Sequence, residues 1–388
     1  MAVSNPQLGI QSPIQCQLCV QDKQISFKCL ECDLLMCSAC KNDIHPKIKT
    51  ATEHRIIHIK DIGKTSIPRT NIGSASSSNK DNNQTSDPSK ECTNVHVTVV
   101  EEYQTKIKEV SQLALGLDDS FWLGDGDHQK GMRLFTSHTG LQKVKCERNK
   151  LKVLSSFNID ICGLAVTHGN DLLIATDGPI LKQIKNGKTK IEDTAYNLNP
   201  YNPQSIYITR KNKVIVGARN NTKNKGVVIV MDNLGNHERV YGKDKTKDIS
   251  FTLPWNITAT NNDNIFVIDV INDKMEGRVV LLGQVDIVNT YSGHPDINTK
   301  AIPFTPIDLT TTPTDNVIVV EMINNTLHII NNSGQLITYI STKYKGISLP
   351  CSISLAMVGH FCMLYIGTYT DENNKDKAKL YKLNLIGC

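Results

Sequence analysis

Four prolines mark a repeat in the second half of the chain. Pro203, Pro254, Pro306 and Pro350 each open an alternating apolar segment, and a polar turn separates that segment from a second one. Alternation of this kind predicts half-buried β-strands. Their spacing, about 50 residues or slightly less, is typical of one blade of a β-propeller. This repeat constrains the fold more than any other feature of the chain.

The clearest repeat runs from Pro254 through Thr260 and continues from Asn264 to Asp269. Third strands are predicted at 226–231, 278–282, 326–330 and 379–383. Two more degenerate repeats fit upstream, at 115–144 and 162–184, so the sequence predicts six blades. The segment 101–115 could be a helix, but 95–100 alternates as a strand does. We expect the strand at 96–102 to complete the sixth blade, because joining the first and last strands closes the ring.

Cysteine and histidine crowd the start of the chain, where three Cys-x-x-Cys pairs precede two histidines. A Cys-x-x-Cys pair places two thiolates on one tight turn, as zinc fingers do. So small a segment cannot enclose much of a core and usually needs a metal or disulfides. The eight candidate ligands are Cys16, Cys19, Cys29, Cys32, Cys37, Cys40, His45 and His54.

The interleaved order of these ligands suggests a cross-brace with two zinc ions. Cys16, Cys19, Cys37 and Cys40 would hold one ion. Cys29, Cys32, His45 and His54 would hold the other. Closed four-coordinate sites of thiolate and imidazole leave no position for water, so both ions would be structural. His58 is a spare histidine that could displace His54, and a loop of reduced cysteines without metal is the alternative to the whole assignment.

This ligand order resembles the B-box zinc finger of tripartite-motif (TRIM) proteins, with Glu53-His54-Arg55-Ile56 near its end. A ZZ finger has a similar ligand order, whereas a RING ends in a cysteine pair. The repeats are similar to the NHL-type six-bladed propellers of the same family. Only 15 residues precede Cys16, and residues 61–94 lack a heptad pattern, so we expect neither a RING nor a coiled coil.

The predicted organisation is a disordered tail at 1–12, a B-box at 13–60, a Ser/Asn-rich linker at 61–94 and an all-β six-bladed propeller at 95–388. No signal peptide or membrane helix is apparent. The net charge of +5 is mild for this length. Scattered thiols are typical of a reducing compartment, so we expect a cytoplasmic protein. These thiols are Cys92, Cys146, Cys162, Cys351, Cys362 and Cys388.

Two other functions compete for the propeller. Some six-bladed propellers hydrolyse esters or lactones around a central calcium, for which Asp125, Asp127, Asp269 and Glu321 are candidates; alternatively, these acids cap turns. Six histidines are expected on loops or faces: His128, His138, His168, His237, His294 and His328. Basic loops could bind single-stranded RNA, although only Tyr201 and Tyr207 offer stacking nearby. The basic residues are Lys143, Lys145, Arg148, Lys150, Lys152, Arg210, Lys211, Lys213, Arg219, Lys223, Lys225, Lys243, Lys245 and Lys247.

The family resemblance implies an adaptor or scaffold that binds other proteins through both modules. Its expected role is accessory to ubiquitin-linked or innate-immune regulation, and assistance to a ubiquitin ligase is a further alternative. The sequence has no P-loop, Gly-x-Ser-x-Gly or His-Glu-x-x-His motif. We therefore expect no enzymatic activity, no DNA binding and no membrane contact.

Overall fold

The computed structural model describes residues 26–29, 35–43, 45, 56–58, 95–125, 140–148, 150–223, 225–242, 250–359, 361–370 and 377–387. The chain divides into two units, residues 1–85 and 86–388. Within the described ranges, no helix is both long and apolar enough to cross a membrane.

The first unit contains a small antiparallel sheet and a short helix. Its elements are β1 (Phe27–Cys29), β2 (Leu35–Met36), α1 (Ser38–Asp43) and β3 (Ile56–His58). The strand order is β2-β1-β3. Met36 packs in one buried cluster with Cys29, Cys37 and Cys40. Phe27 and Ile56 pack against this cluster. Cysteines therefore make up most of the buried cluster in the described part of this unit.

The second unit begins with β4 (His96–Gln104) and continues as six four-stranded antiparallel sheets. Blade I has β5 (Gln112–Leu115), β6 (Ser120–Asp125), β7 (Gly140–Glu147) and β8 (Lys150–Phe157). Blade II has β9 (Gly163–Val166), β10 (Leu172–Ala175), β11 (Ile180–Ile184) and β12 (Ile191–Asn197). Blade III has β13 (Asn202–Ile208), β14 (Val214–Asn220), β15 (Lys225–Met231) and β16 (His237–Tyr241).

Blade IV has β17 (Leu253–Ala259), β18 (Ile265–Val270), β19 (Gly277–Leu282) and β20 (Ile287–Tyr291). Blade V has β21 (Pro306–Thr311), β22 (Val317–Glu321), β23 (Thr326–Ile330) and β24 (Leu336–Ser341). A 3₁₀ turn at Lys343–Lys345 precedes blade VI, which has β25 (Pro350–Val358), β26 (Phe361–Thr368) and β27 (Lys379–Ile386). The outermost strand of blade VI is β4, which pairs with β27 from His96 to Gln104.

The innermost strands form a closed ring in the order β5, β9, β13, β17, β21 and β25, with β25 beside β5. The prediction of an all-β six-bladed propeller is confirmed. We call the end at which each innermost strand begins the upper face, and the end at which it finishes the lower face. The segment 101–115, which could have been helical, contains the end of β4, a connection at 105–111 and all of β5.

Six apolar clusters form the core of this unit, and each lies between two neighbouring blades. The cluster of Val216 and Ile229 with Leu173 joins blades II and III. The cluster of Phe266 with Val319 joins blades IV and V. The same arrangement recurs at the other four junctions. Because the core lies between blades, each blade depends on both neighbours for burial.

A threonine begins the first hairpin turn of blades II to V. These residues are Thr167, Thr209, Thr260 and Thr312, and each side-chain oxygen accepts the backbone N–H four residues later. The third residue after each threonine has a φ between 59° and 65°; these residues are Asn170, Asn212, Asp263 and Asp315. Asn and Asp tolerate this left-handed conformation better than other non-glycine residues. The four turns therefore share one local chemistry at the lower face.

Candidate functional site

Four of the eight predicted zinc ligands lie within the described residues, and all four are buried. Cys29 ends β1, Cys37 follows β2, Cys40 lies in α1 and His45 follows that helix. None of the three thiols is in a disulfide. Cys16, Cys19, Cys32 and His54 lie outside the described residues, so the complete ligand set stays a prediction.

The predicted cross-brace divides these four residues between two sites. Cys37 and Cys40 belong to one site, and Cys29 and His45 belong to the other. No group of three potential metal ligands occurs among the residues that the structure describes, and this pairing predicts none, since it gives each site only two described ligands. Buried thiols and a buried imidazole have the donor chemistry that structural zinc requires. The residues present therefore fit the metal.

The acidic residues proposed for a central calcium hold the propeller loops together. Asp269, at the top of β18, accepts the backbone N–H groups of Thr252 and Leu253 at 2.8 and 2.9 Å. Its other oxygen accepts two bonds from Arg278, at 3.2 and 3.0 Å. Burial raises the pKa of Asp269 above its ordinary value, although Arg278 opposes this effect. Asp269 thus fixes the loop that enters β17.

Glu321 occupies the same place in blade V. One of its oxygens accepts the N–H of Thr305 at 3.1 Å and the side-chain amide of Asn298 at 2.7 Å. The other oxygen contacts His328 Nε2 at 2.9 Å. Asp125 similarly accepts the N–H of Lys108, whereas Asp127 lies outside the described residues. The described acids therefore cap turns, which was the alternative to metal binding.

The prediction that His328 lies on a loop or face is wrong. This residue is fully buried in β23, where Nδ1 is 2.9 Å from the hydroxyl of Tyr291. Phe304 packs edge-on against both rings. Burial, and then the nearby Glu321 carboxylate, raise the pKa of Tyr291. The sequence signal for this network was the position of His328 between Leu327 and Ile329 in a predicted strand.

Sequence reasoning missed a set of polar residues on the innermost strands. In blades III to VI, the second residue after the proline is Ser205, Asn256, Asp308 and Ser352. The strand register shifts between the proline and this residue in each blade. A polar residue recurs two positions after each of these prolines, and this recurrence could have identified the four residues from the sequence.

Asp308 is the acidic residue among these four, and it links three blades. One oxygen accepts the side-chain amide of Asn256 in blade IV at 2.6 Å and the N–H of Leu309 at 2.7 Å. The other oxygen accepts the N–H of Ile353 in blade VI at 2.7 Å. Asp308 is 7% exposed. Burial raises its pKa to about 7, although all three hydrogen bonds oppose this effect.

A central calcium does not fit these residues. Calcium takes six to eight oxygen ligands, chiefly carboxylates, carbonyls and waters. Both oxygens of Asp308 already accept hydrogen bonds, and the amide oxygen of Asn256 accepts the N–H of Ile257. The oxygens of Asp269 and Glu321 are likewise engaged in the loops. A cation would have to displace the bonds that join the blades.

The basic loops do not form one surface. Arg210, Lys211 and Lys213 lie at the lower face, between β13 and β14, whereas Lys223 and Lys225 lie at the opposite end of β14. Several lower lysines are also paired with acids, including Lys143 with Asp118, Lys152 with Glu147 and Lys211 with Asp263. Lys243, Lys245 and Lys247 lie outside the described residues.

No family model matches this chain, and no curated protein matches it. Solved structures do. A gluconolactonase from Xanthomonas campestris matches at 9% identity and a TM-score of 0.52, over 76% of this chain and 90% of that chain. A protein of unknown function from Dyadobacter fermentans matches at 10% identity and a TM-score of 0.50, over 74% of this chain and 99% of that chain. A streptogramin B lyase matches at 12% identity and a TM-score of 0.47, over 76% of this chain and 100% of that chain.

The two likenesses with TM-scores of 0.50 and 0.52 support the six-bladed fold, and one of them corrects an expectation. The sequence predicted no enzymatic activity, because it has no RING and no recognisable catalytic motif. That prediction is wrong, since a gluconolactonase has the same fold. The resemblance to NHL-type propellers is supported only as far as six blades. The comparisons give no support for the B-box, which stays a prediction.

Proposed function

We propose that this protein is a zinc-stabilised adaptor that joins a B-box-like unit to a propeller with a protein-binding surface. The observation that carries this proposal is the burial of Cys29, Cys37, Cys40 and His45 in the first unit. The three cysteines come from separate segments and meet in one cluster with Met36, against which only Phe27, Ala39 and Ile56 pack among the described residues. So small a unit cannot enclose much apolar surface, and a metal held by these side chains would supply the missing stability.

Zinc in this unit would be structural. Its binding free energy would become folding free energy, because the unfolded chain holds no preformed site. Cys37 and Cys40, at the start of α1, would connect that helix to one ion. Cys29, at the end of β1, and His45 would connect the sheet to the other. Two ions would therefore fix the strands and the helix as one docking surface.

The propeller would supply the second docking surface. Its blades are joined at every junction by buried clusters, so the described strands form one framework for the loops. Two modules in one chain can engage a single assembly at raised effective concentration. The resemblance to TRIM proteins suggests regulation linked to ubiquitin or innate immunity as the setting, and other proteins as partners.

Zinc content tests this proposal. Native mass spectrometry of the full chain should find two zinc ions, and Cys37→Ser should retain about one. Cys162→Ser, which changes a propeller thiol outside the ligand set, should retain both. A chain without zinc whose first unit resists protease in chelator would contradict the proposal.

A second candidate function is catalysis at the propeller axis, and Asp308 favours it. A carboxyl with a pKa of about 7 can act as a general acid or base at neutral pH. The test is turnover of a panel of lactones and aryl esters by the full chain. Asp308→Asn should abolish any turnover while Asp193→Asn, on the outer strand β12, should not. Absence of turnover in the unmodified protein would remove this candidate.

A further inference from the structure

The rim of blade VI at the upper face carries an exposed aromatic side chain among exposed lysines. Tyr344 is 91% exposed and lies between Lys343 and Lys345 on the 3₁₀ turn. Lys106 and Lys377 are exposed on the neighbouring segments. We call these five residues the blade VI rim.

Backbone contacts place the segments of the rim together. The N–H of Ala378 donates to the carbonyl of Ile107 at 2.9 Å. This bond joins the segment of Lys106 to that of Lys377. The N–H of Tyr369 donates to the carbonyl of Leu349 at 3.0 Å, and Tyr369 also bridges Glu109. The hydroxyl of Tyr381, in β27, donates to the carbonyl of Gly346 at 3.3 Å, so the three segments meet at the upper end of blade VI.

The turn that carries Tyr344 is held firmly from below. The hydroxyl of Thr342, which is buried, lies 3.0 Å from the carbonyls of both Asn325 and Ile347. Gly346 ends the turn with φ 77°, a conformation that favours glycine. Tyr344 is thus presented to solvent on an ordered backbone, so binding through its ring would cost little conformational entropy.

The lysines of the rim differ from many others on the propeller. Lys143 and Lys182 lie 2.8 and 2.7 Å from Asp118 and Asp193. Among the residues that the structure describes, no ion pair involves a rim lysine. Exposed tyrosine is enriched at protein interfaces, and exposed lysines complement an acidic partner.

We infer that the blade VI rim is a docking surface for an acidic segment of a partner protein. This inference rests on the proposed adaptor function and names the class of partner for the propeller. The rim favours a peptide over RNA, because successive bases need several stacking surfaces and the rim offers one aromatic ring. Tyr344 would pack on an apolar or aromatic side chain of the peptide, while the lysines would pair with its carboxylates.

Fluorescence anisotropy of the full chain with a labelled Glu-rich peptide containing one Trp tests this inference. Charge reversal by Lys343→Glu with Lys345→Glu should weaken binding at least about tenfold, and Tyr344→Ala should weaken it about fivefold or more. Tyr344→Phe should bind as the unmodified protein does. The matched control is Lys150→Glu with Lys188→Glu, two exposed lysines at the lower face, which should change affinity less than about twofold.

Two results would overturn the inference. One is equal peptide affinity in the rim and control variants. The other is preferential binding of an oligouridylate of equal charge that is lost in the rim variant, which would assign the rim to RNA. Zinc analysis of the same preparations separates the two proposals. If the protein holds zinc but does not bind the peptide, only the docking inference is wrong. If it binds the peptide but holds no zinc, only the proposal of a zinc-stabilised first unit is wrong.

Discussion

At the scale of single residues, the propeller depends on side chains that satisfy backbone groups. Asp269, Glu321 and Asp308 are carboxylates, yet each accepts backbone N–H groups of a segment that enters or belongs to an innermost strand. Buried backbone donors without partners are costly, so a buried carboxylate that accepts them can be retained for structure alone. Acidic residues at these positions are thus weak indicators of a metal.

Asp308 makes the stability of the propeller depend on pH. Because its folded pKa is about 7 and its ordinary value is 3.8, the folded state keeps a proton that the unfolded chain releases between these values. Its contribution is complete below pH about 4 and is lost as pH rises through about 7. As pH rises across this window, the free energy of unfolding of the unmodified protein should therefore fall by a few kcal/mol relative to that of Asp308→Asn. Urea melts at several pH values would measure it; a difference independent of pH would contradict it.

Thr260 tests the lower turns. Its hydroxyl oxygen accepts the N–H of Asn264 at 3.3 Å, and the side chain is buried. Thr260→Val keeps the shape but removes the acceptor, so it should lower the free energy of unfolding by about 1 kcal/mol. Thr222→Val, in an upper loop outside this turn motif, provides a comparison. Equal stability of Thr260→Val and the unmodified protein would show that the hydroxyl contributes nothing.

At the scale of elements, the first three strands of a blade have clearer apolar runs than several of the fourth strands. β16 reads His237-Glu238-Arg239-Val240-Tyr241, with three exposed positions. An outermost strand covers one side of a blade only partly, so its sequence carries little apolar signal. This is why the repeats predicted three strands each and, apart from β4, did not predict the outermost strands.

β4 provides the prediction at this scale. It supplies Val97 to the junction of blades V and VI and Tyr103 to the junction of blades VI and I. Deleting residues 95–104 exposes β27 as an open edge and removes apolar contacts from two junctions. The melting temperature should fall by about 10 °C or more. Differential scanning fluorimetry would detect the shift, and an unchanged melt would mean that β4 adds no stability.

At the scale of the whole molecule, the core of the propeller is distributed around a ring. Each cluster belongs to two blades, so no blade has a core of its own. Loss of packing at one junction should therefore weaken the ring as a unit, unlike an open repeat array in which stability is a sum of local terms.

The two tryptophans make this testable, because Trp122 lies in blade I and Trp255 in blade IV. Phe266→Ala removes a fully buried ring at the junction of blades IV and V and should cost about 3–5 kcal/mol. In Trp122→Phe and Trp255→Phe backgrounds, the remaining tryptophan should report the same lowered midpoint in both cases. A midpoint that falls for Trp255 alone would mean that the blades unfold separately.

The sequence by itself determined the six blades and the positions of most inner strands, because alternation and the recurring proline depend on local chain chemistry. It also indicated the buried thiols Cys29, Cys37 and Cys40, since their spacing is local as well. Only the tertiary structure decided that Asp308 joins three blades, that His328 is buried beside Glu321, and that the basic loops of blade III face opposite ways. These facts depend on which residues distant in sequence meet across a junction, and no local pattern contains that information.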